Sequence, residues 1–196
     1  AEAKVRLAAA GIAVPRGVAA RDLATLRDLA AALTPPLALK GQGIAHKTEA
    51  GAVRLGLVTL AGQGEMPGAT GYLAEEMIAG GRAELLVGLA RDPVYGATLT
   101  LGAGGIAADL LADTATRVLP VTAGDIAAAL RALRLWPLLD GYRGRPRPDI
   151  NAAIDAILAA QALMEADPAI RALEINPLIL TADAAVAADA LMEVTG

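Results

Sequence analysis

Lysines, glycines and a single histidine are concentrated in one short segment, residues 39–53, with the sequence LKGQGIAHKTEAGAV. Glycines let backbone N–H groups approach phosphate oxygens closely, and lysines neutralise the phosphate charge. His46 is the only histidine of the chain, and an imidazole can form a covalent phosphoryl adduct near neutral pH. The segment is therefore a candidate phosphate site. It lacks the spacing of a P-loop, and a solvated glycine loop between two strands is the alternative.

A second group of polar residues lies in ALEINPLIL, residues 172–180. Glu174 and Asn176 are two positions apart and would share one face of a strand, and Pro177 would interrupt strand pairing directly after them. Oxygen ligands on one face suit Mg²⁺, which needs few protein ligands when phosphates supply the rest. Asp189 lies on a later apolar run and could meet them. The alternative is an ordinary polar strand edge.

Two further apolar runs, YLAEEMI and ELLVGLA, are separated by Gly80 and Gly81, which predicts a pair of strands in a hairpin. Backbone groups of such a strand can bind an adenine edge, and the carboxylate of Glu76 or Glu84 can bind ribose hydroxyls. The later string LGAGG lacks the third glycine of a dinucleotide fingerprint. We therefore exclude a Rossmann site there and leave open only a tight turn that presents amides to an anion.

The elements that must position these residues mix hairpins and helices without strict alternation, which favours an α+β fold over a doubly wound sheet. Helices are predicted where capping residues precede apolar residues at helical spacing, and strands where apolar residues run together or alternate. A polar, glycine-rich break at 61–71 is a candidate lobe boundary. The predicted helices are 1–10 and those that begin after Asp22, Thr122 and Asp149, and the predicted strands include 37–40 and 53–57.

Composition excludes several classes of function. The net charge of −4 argues against a nucleic-acid partner, which usually needs a basic face. Without cysteine, the chain has no disulfide, thiolate metal site or cysteine nucleophile. No run approaches the roughly 20 apolar residues of a membrane span, and the charged first ten residues are not typical of a signal peptide. We expect a cytoplasmic protein without a membrane or nucleic-acid partner.

Taken together, these segments resemble one family, the ATP-grasp domain of ADP-forming acyl-CoA synthetases, which is related to the β subunit of succinyl-CoA synthetase. The strings occur in the order of the family and cover nearly the whole chain. The chief departure is at 60–72, where relatives carry a helix and this sequence has a short glycine-rich link. The strings are GIAVP, LALKGQGIAHKTEAGAVRLGL, LAEEMIAGGRAELLVGLARDPVYGATLTLGAGGIAADLLAD, LLDGYRGRPRPDINA and LEINPLIL followed by AADA.

The resemblance implies an ATP-grasp fold in which two α+β lobes hold a nucleotide between them. The small lobe would be 16–72, and the large lobe would combine 1–15 with 73–196. The implied reaction is acyl-CoA + ADP + phosphate ⇌ carboxylic acid + CoA + ATP, with ATP or ADP and Mg²⁺ as cofactors. A CoA-binding domain or subunit would bind the acyl-CoA and the carboxylic acid and would pass phosphate to this chain. A homo-oligomer is left open.

Three sets of residues match functional positions of the family. The phosphate-carrying position is His46. The nucleotide-binding set has a lysine that contacts phosphate, the loop around it, an adenine-facing hinge and a ribose-binding acid: Lys40, Lys47 and Gly51, Glu76, Met77 and Ile78, and Glu84. The Mg²⁺ ligands are Asn176 and Asp189, with Glu174 beside them.

Two other functions stay open from the sequence. Similar domains occur in protein lysine acetyltransferases as regulatory modules that have lost synthetase activity, although the retention of Lys40, His46, Asn176 and Asp189 argues against such decay. Another carboxylate ligase of the ATP-grasp class is the third reading. Such a ligase would activate the acid directly and would not need the His-Lys motif.

Overall fold

The computed structural model describes residues 2–44, 51–105, 108 and 111–195, which form two compact units. The smaller unit is Pro15–Ile78, and the larger unit combines Glu2–Val14 with the chain from Ala79 onward. Sheets and helices occur in both units, so the predicted α+β class is confirmed. None of the helices formed by these described residues is long and apolar enough to span a membrane.

The elements follow one another along the chain as follows. They are α1 (Glu2–Ala9), β1 (Gly17–Ala20), α2 (Leu23–Ala30), β2 (Leu37–Gln42), β3 (Val53–Leu57), β4 (Gly71–Glu76), β5 (Ala83–Asp92), β6 (Gly96–Ala103), β7 (Thr114–Val118), α3 (Ala123–Ala132), α4 (Trp136–Leu139), a 3₁₀ turn (Tyr142–Gly144), α5 (Ile150–Ala166), β8 (Ile170–Leu180), β9 (Ala185–Ala187) and β10 (Ala190–Val194).

The smaller unit is a four-stranded antiparallel sheet, in the order β1-β4-β2-β3, that packs one face on α2. The predicted cap of α2 is confirmed, because the side chain of Asp22 accepts a hydrogen bond from the backbone N–H of Thr25. The core contains Leu26 of α2 with Leu37 and Leu39 of β2. Strand β2 is buried along nearly its whole length because it lies between two neighbouring strands.

The glycine-rich break at 61–71 lies inside the smaller unit. Residues 58–70, all of them described, contain no helix. Leu60 and Met66 are buried in the core of the unit, and the side chain of Arg27 donates to the carbonyl oxygens of Leu60 and Gln63. The short link therefore closes one side of the apolar core of the smaller unit.

The larger unit is a six-stranded antiparallel sheet with the order β10-β8-β5-β6-β7, and β9 pairs with β8 beyond that path. Helices α3 and α5 pack together, and α5 packs on β5 and β8. The helix predicted to begin after Asp149 is confirmed as α5, and Ile154, Ile157 and Met164 are buried along one face of it. Gln161 on that face is also buried, and its side-chain oxygen accepts from the backbone N–H of Val121.

Hydrogen bonds from backbone N–H groups or a hydroxyl stabilise several aspartates at the ends of elements, and they lower the pKa of each carboxyl group. The hydrogen bond from Thr25 N–H lowers the pKa of Asp22 below the usual 3.8. Thr122 is confirmed as the N-cap of α3 and forms a capping box with Asp125, and the hydrogen bond from its hydroxyl lowers the Asp125 pKa. Asp167, at the end of α5, has a lowered pKa because of the Ala169 N–H and then Arg6.

The predicted hairpin of YLAEEMI and ELLVGLA is wrong. Strand β4 pairs with β1 and β2 in the sheet of the smaller unit, whereas β5 pairs with β6 and β8 in the larger unit. The chain passes from one unit to the other between Ile78 and Ala79. The strand pairing therefore places 73–76 with the smaller sheet, although the sequence-based lobes assigned everything from 73 onward to the larger one.

Candidate functional site

Lys40 forms a buried ion pair in the smaller unit. Its Nζ lies 2.8 Å from Oε2 of Glu75, and the two residues are only 7% and 2% exposed. Ala38 pairs with Glu75 across β2 and β4, and side chains alternate along a strand, so Lys40 and Glu75 share one face of the sheet. Leu37 and Leu39 pack with α2 on the opposite face. The sheet thus carries apolar residues on one face and a buried charge on the other.

A glycine makes room for this carboxylate. Gly17 of β1 pairs directly with Glu75 of β4. A Cβ atom at Gly17 would lie 2.7 Å from Cγ of Glu75 and 2.8 Å from the carbonyl oxygen of Ala74, and real Cβ atoms do not approach neighbours so closely. A larger residue at this position would displace β4 or turn the Glu75 side chain away from Lys40.

The hinge residues predicted to face adenine lie at the end of β4. Glu76 has the opposite orientation to Glu75, and its Oε1 accepts from Thr34 N–H at 2.9 Å and from Arg16 Nη1 at 3.4 Å. Met77 donates its backbone N–H to the carbonyl oxygen of Pro36 at 2.9 Å. The Glu76 side chain therefore fixes the loop before β2, and Ile78 is the last residue of the unit.

Two of the predicted phosphate-site residues, His46 and Lys47, lie outside the described residues. Gly51 is described and precedes β3, is exposed, and has a φ of +65°. An L side chain rarely adopts this left-handed conformation, so Gly51 suits the turn that leads from the 45–50 segment into β3. Lys40 lies before this segment, on the strand that β3 pairs with.

The predicted metal-ligand residues of the larger unit lie where its sheet is interrupted. Strand β8 pairs with β10 up to Ile175 and with β9 from Leu178, and its register with β5 shifts over the same residues. Pro177 has no N–H to donate, so the predicted interruption at this position is confirmed. Asn176 donates its backbone N–H to the carbonyl oxygen of Asp189 at 3.1 Å, which brings the two predicted ligands together.

Side-chain contacts link this break to the turn after β6. The Oδ1 atom of Asn176 accepts from Gly105 N–H at 2.9 Å, and its Nδ2 lies 3.5 Å from Oε1 of Glu174. The backbone N–H of Gly104 donates to the carbonyl oxygen of Glu84 at 2.9 Å, and a Cβ atom at Gly105 would overlap the Glu84 carboxylate. Both glycine amides are occupied within the protein, so the anion-binding turn that the sequence left open is not formed by them.

The oxygen donors at this break fit a magnesium ion whose other ligands would be phosphate oxygens. Glu174 is exposed, Asn176 and Asp189 are half-buried, and their side chains offer carboxylate and amide oxygens. An amide oxygen has two lone pairs, so Asn176 can accept from Gly105 and still bind a cation. Among the described residues no group of three or more His, Cys, Asp or Glu is placed to hold a metal by itself.

Two buried charged residues were missed by sequence reasoning. Glu75 was passed over in favour of its neighbour Glu76, although the alternation of a strand makes only one of the two face Lys40. Lys4 lies on α1 at 6% exposure, and its Nζ donates to the carbonyl oxygen of Ala188. Its spacing of three from the buried Leu7 was the available signal, because residues i and i+3 share a helix face.

Comparisons with known proteins agree with this architecture. A family model described as an ATP-grasp domain matches residues 1–194. The β subunit of acetate–CoA ligase (ADP-forming) I of Pyrococcus furiosus is 31% identical over an alignment of 207 residues in length. The alignment covers 97% of this chain and 89% of the subunit. The chain belongs to the ATP-grasp family of ADP-forming acid–CoA ligase β subunits and domains. The predicted family is thus confirmed.

This ATP-grasp domain also resembles part of a longer enzyme. Acetate–CoA ligase (ADP-forming) I of Archaeoglobus fulgidus is 31% identical over 188 residues, which cover 88% of this chain but only 27% of that protein. The ATP-grasp domain therefore spans about a quarter of that relative. Among solved structures, an acetyl-coenzyme A synthetase 1 of Ca. Korarchaeum cryptofilum, in complex with coenzyme A and Mg-AMPPCP, superposes with a TM-score of 0.84 at 27% identity, covering 99% of this chain and 91% of that one.

Proposed function

We propose that this chain is the nucleotide-binding part of an ADP-forming acid–CoA ligase and transfers a phosphoryl group between His46 and ADP or ATP. The observation that carries the proposal is the buried Lys40 on the sheet face opposite α2, together with the family membership. In the complete enzyme the reaction would be acyl-CoA + ADP + phosphate ⇌ carboxylate + CoA + ATP. The relatives of this domain include both separate β subunits and single long chains.

In the proposed step, an imidazole nitrogen of His46 attacks the γ-phosphorus of ATP. The N–P bond forms while the P–O bond to ADP breaks, and ADP leaves with the electron pair; the reverse step makes ATP from phosphohistidine and ADP. Charge develops on the moving phosphoryl group, so positioned cations supply most of the stabilisation. Lys40 would provide such a charge, while Lys47 and Gly51 would belong to the loop around the phosphates.

The remaining nucleotide contacts are assigned to elements of each unit. In the smaller unit, the backbone of Glu76, Met77 and Ile78 would line the adenine, because the Glu76 side chain already binds Thr34 and Arg16. In the larger unit, the exposed carboxylate of Glu84 would bind the ribose hydroxyls.

Magnesium would be held by Asn176 and Asp189, with Glu174 beside them, and would neutralise phosphate charge during transfer. Beside the break at Pro177, Glu174 is exposed and Asn176 and Asp189 are half-buried. Mg²⁺ needs only a few protein ligands where phosphate oxygens and water supply the rest. The solved relative with coenzyme A and Mg-AMPPCP supports ATP or ADP with Mg²⁺ as the cofactors of this chain.

The complete enzyme would require a CoA-binding domain or subunit that binds acyl-CoA and the carboxylic acid. We propose that the complete enzyme is cytoplasmic. Relatives that are β subunits of acetate–CoA ligases support such a partner. The regulatory-module alternative gains no support from these relatives, which are ligases.

The test is ATP formation from acetyl-CoA, phosphate and ADP by the complete enzyme, with its CoA-binding part present. His46→Ala should lower the rate at least about 100-fold, since the nucleophile of a covalent step is lost. Glu65→Ala, at an exposed position of the smaller unit, is the matched control and should keep the wild-type rate. A wild-type rate in the His46 variant would contradict the proposed relay.

A further inference from the structure

A buried lysine of the N-terminal helix lies beside the proposed metal site, and the proposed mechanism does not use it. Lys4 is 6% exposed and shares the buried face of α1 with Leu7. Burying an ammonium group is costly unless it gains strong partners. An apolar residue would be sufficient if this position only packed α1 on the sheet, so the charged group calls for a more specific role.

One contact of Lys4 is with the backbone of the segment that carries Asp189. Its Nζ donates to the carbonyl oxygen of Ala188, the residue directly before Asp189. The N–H of Ala188 in turn donates to the carbonyl oxygen of Pro177 at 3.0 Å, and the carbonyl oxygen of Asp189 accepts from Asn176 N–H at 3.1 Å. The peptide between β9 and β10 is therefore held from α1 on one side and from the β8 break on the other.

The residues after α1 continue this support. Ala13 forms an isolated parallel bridge with Val186, and its carbonyl oxygen accepts from the N–H of Ala187 at 2.8 Å. Strand β9 is only three residues long, so it has few hydrogen bonds of its own to fix the turn that follows. A charge-assisted hydrogen bond to the Ala188 carbonyl is well suited to that purpose.

We propose that Lys4 is a positioning residue that orients Asp189 for the divalent cation by fixing the Ala188–Asp189 peptide. The inference rests on the proposed function in so far as Asp189 is taken as a Mg²⁺ ligand. Residues that orient metal ligands typically change metal affinity by about 10- to 100-fold when they are replaced. In this role Lys4 would act on the cation through the Ala188–Asp189 peptide, since an ammonium group cannot itself be a metal ligand.

The experiment measures binding of Mn²⁺, an electron-paramagnetic stand-in for Mg²⁺, to the full-length protein in the presence of ADP. Asp189→Asn first tests the site itself, and it should weaken Mn²⁺ binding relative to the wild type. If Asp189→Asn binds Mn²⁺ as the wild type does, the metal site of the proposed function is wrong. This outcome is distinct from a failure of the Lys4 inference.

With that site established, Lys4→Met should raise the Kd for Mn²⁺ about tenfold, because the long apolar side chain fills the space without donating. Lys4→Arg, which keeps a charged donor, should restore most of the affinity. Leu7→Met is the matched control on the same buried face and should leave the Kd unchanged, even if the melting temperature falls.

Two results would overturn the inference. One is a wild-type Kd for Mn²⁺ in Lys4→Met. The other is an equal rise in Lys4→Met and Leu7→Met, which would indicate general loosening of α1. Circular dichroism verifies that each variant is folded at the measuring temperature. If Lys4→Met does not fold, Lys4→Leu, which also lacks a donor, is titrated in the same way, and a wild-type Kd there would equally overturn the inference.

Discussion

The two candidate regions of this molecule hold their charges in opposite ways. In the smaller unit, Lys40 and Glu75 form an almost fully buried ion pair on β2 and β4, which pair with each other in regular register. In the larger unit, Glu174 and Asn176 lie at a break in the sheet, where one is exposed and the other half-buried. The first region is therefore part of the folded interior, whereas the second is a partly exposed site at a break in the sheet.

This difference predicts which mutations should change the stability of the fold and which should change ligand binding. A buried charge that loses its partner destabilises the fold strongly, because its desolvation is no longer offset. A solvated donor set at a strand break can lose one member with a smaller effect on folding and a larger effect on ligand binding. The following variants test that contrast, beginning with the largest expected change.

Glu75→Ala should lower the free energy of unfolding by about 3 kcal/mol, because it removes the carboxylate that lies 2.8 Å from the buried Lys40 ammonium. Urea denaturation monitored by circular dichroism measures this change. Glu65→Ala, an exposed glutamate of the same unit, should stay within about 0.5 kcal/mol of the wild type. Equal stabilities of the two variants would contradict the prediction that the buried ion pair contributes more to the fold than an exposed glutamate does.

Replacing both partners should recover the fold without recovering nucleotide binding. A Lys40→Met, Glu75→Leu double variant exchanges the ion pair for apolar side chains of similar size, which is often close to neutral for stability. If Lys40 binds a nucleotide phosphate, the Kd for ADP should rise at least about tenfold, or about 1.4 kcal/mol. Isothermal titration calorimetry measures the Kd. Wild-type ADP affinity in a stable double variant would assign Lys40 a structural role alone.

At the sheet break of the larger unit, Asn176→Ala should lower the free energy of unfolding by only about 1 kcal/mol, because Gly105 N–H loses one acceptor. The same variant should require at least tenfold more Mg²⁺ for half-maximal ATP formation, since an amide ligand is lost. Asn176→Asp, which keeps an oxygen acceptor, is the control. A loss of stability as large as that of Glu75→Ala would contradict the contrast between the buried ion pair and this partly exposed site.

The smallest expected effect concerns an aspartate that supports the scaffold outside both regions. Because the Ala169 N–H and Arg6 lower the pKa of Asp167, its ionised form stabilises the folded state at neutral pH. That contribution is lost as the pH falls from the unfolded value near 3.8 through the lower folded value. Asp167→Asn should thus be less stable than the wild type at pH 7 and closer to it at pH 3, as urea titrations at both pH values would show. A constant difference would contradict this linkage.

Local chemistry in the sequence predicted much of the fold. The caps at Asp22, Thr122 and Asp149 identified three helix starts correctly, because a side-chain oxygen that accepts from the third following N–H depends only on nearby residues. The break at Pro177 was predictable for the same reason, since the missing N–H is a property of the residue itself.

Long-range pairing was not predictable in the same way. Alternation and apolar content identified β4 and β5 as strands but gave no information on which sheet each one joins, so two consecutive strands were wrongly paired as a hairpin. The partners of Lys4 and Lys40 were missed because each contact joins residues far apart in the chain. Assignment of Lys40, Asn176 and Asp189 to a nucleotide site depended on the family resemblance, as their chemistry alone also fits ordinary strand positions.

The most direct test of the proposed function is the phosphorylation of His46. The complete enzyme would be incubated with Mg²⁺ and ATP labelled with ³²P at the γ-phosphate, quenched in base and mapped by mass spectrometry. We expect an acid-labile label on His46 that is discharged by ADP and absent from His46→Ala. A competent enzyme that turns over at the wild-type rate with no label on His46 would contradict the account.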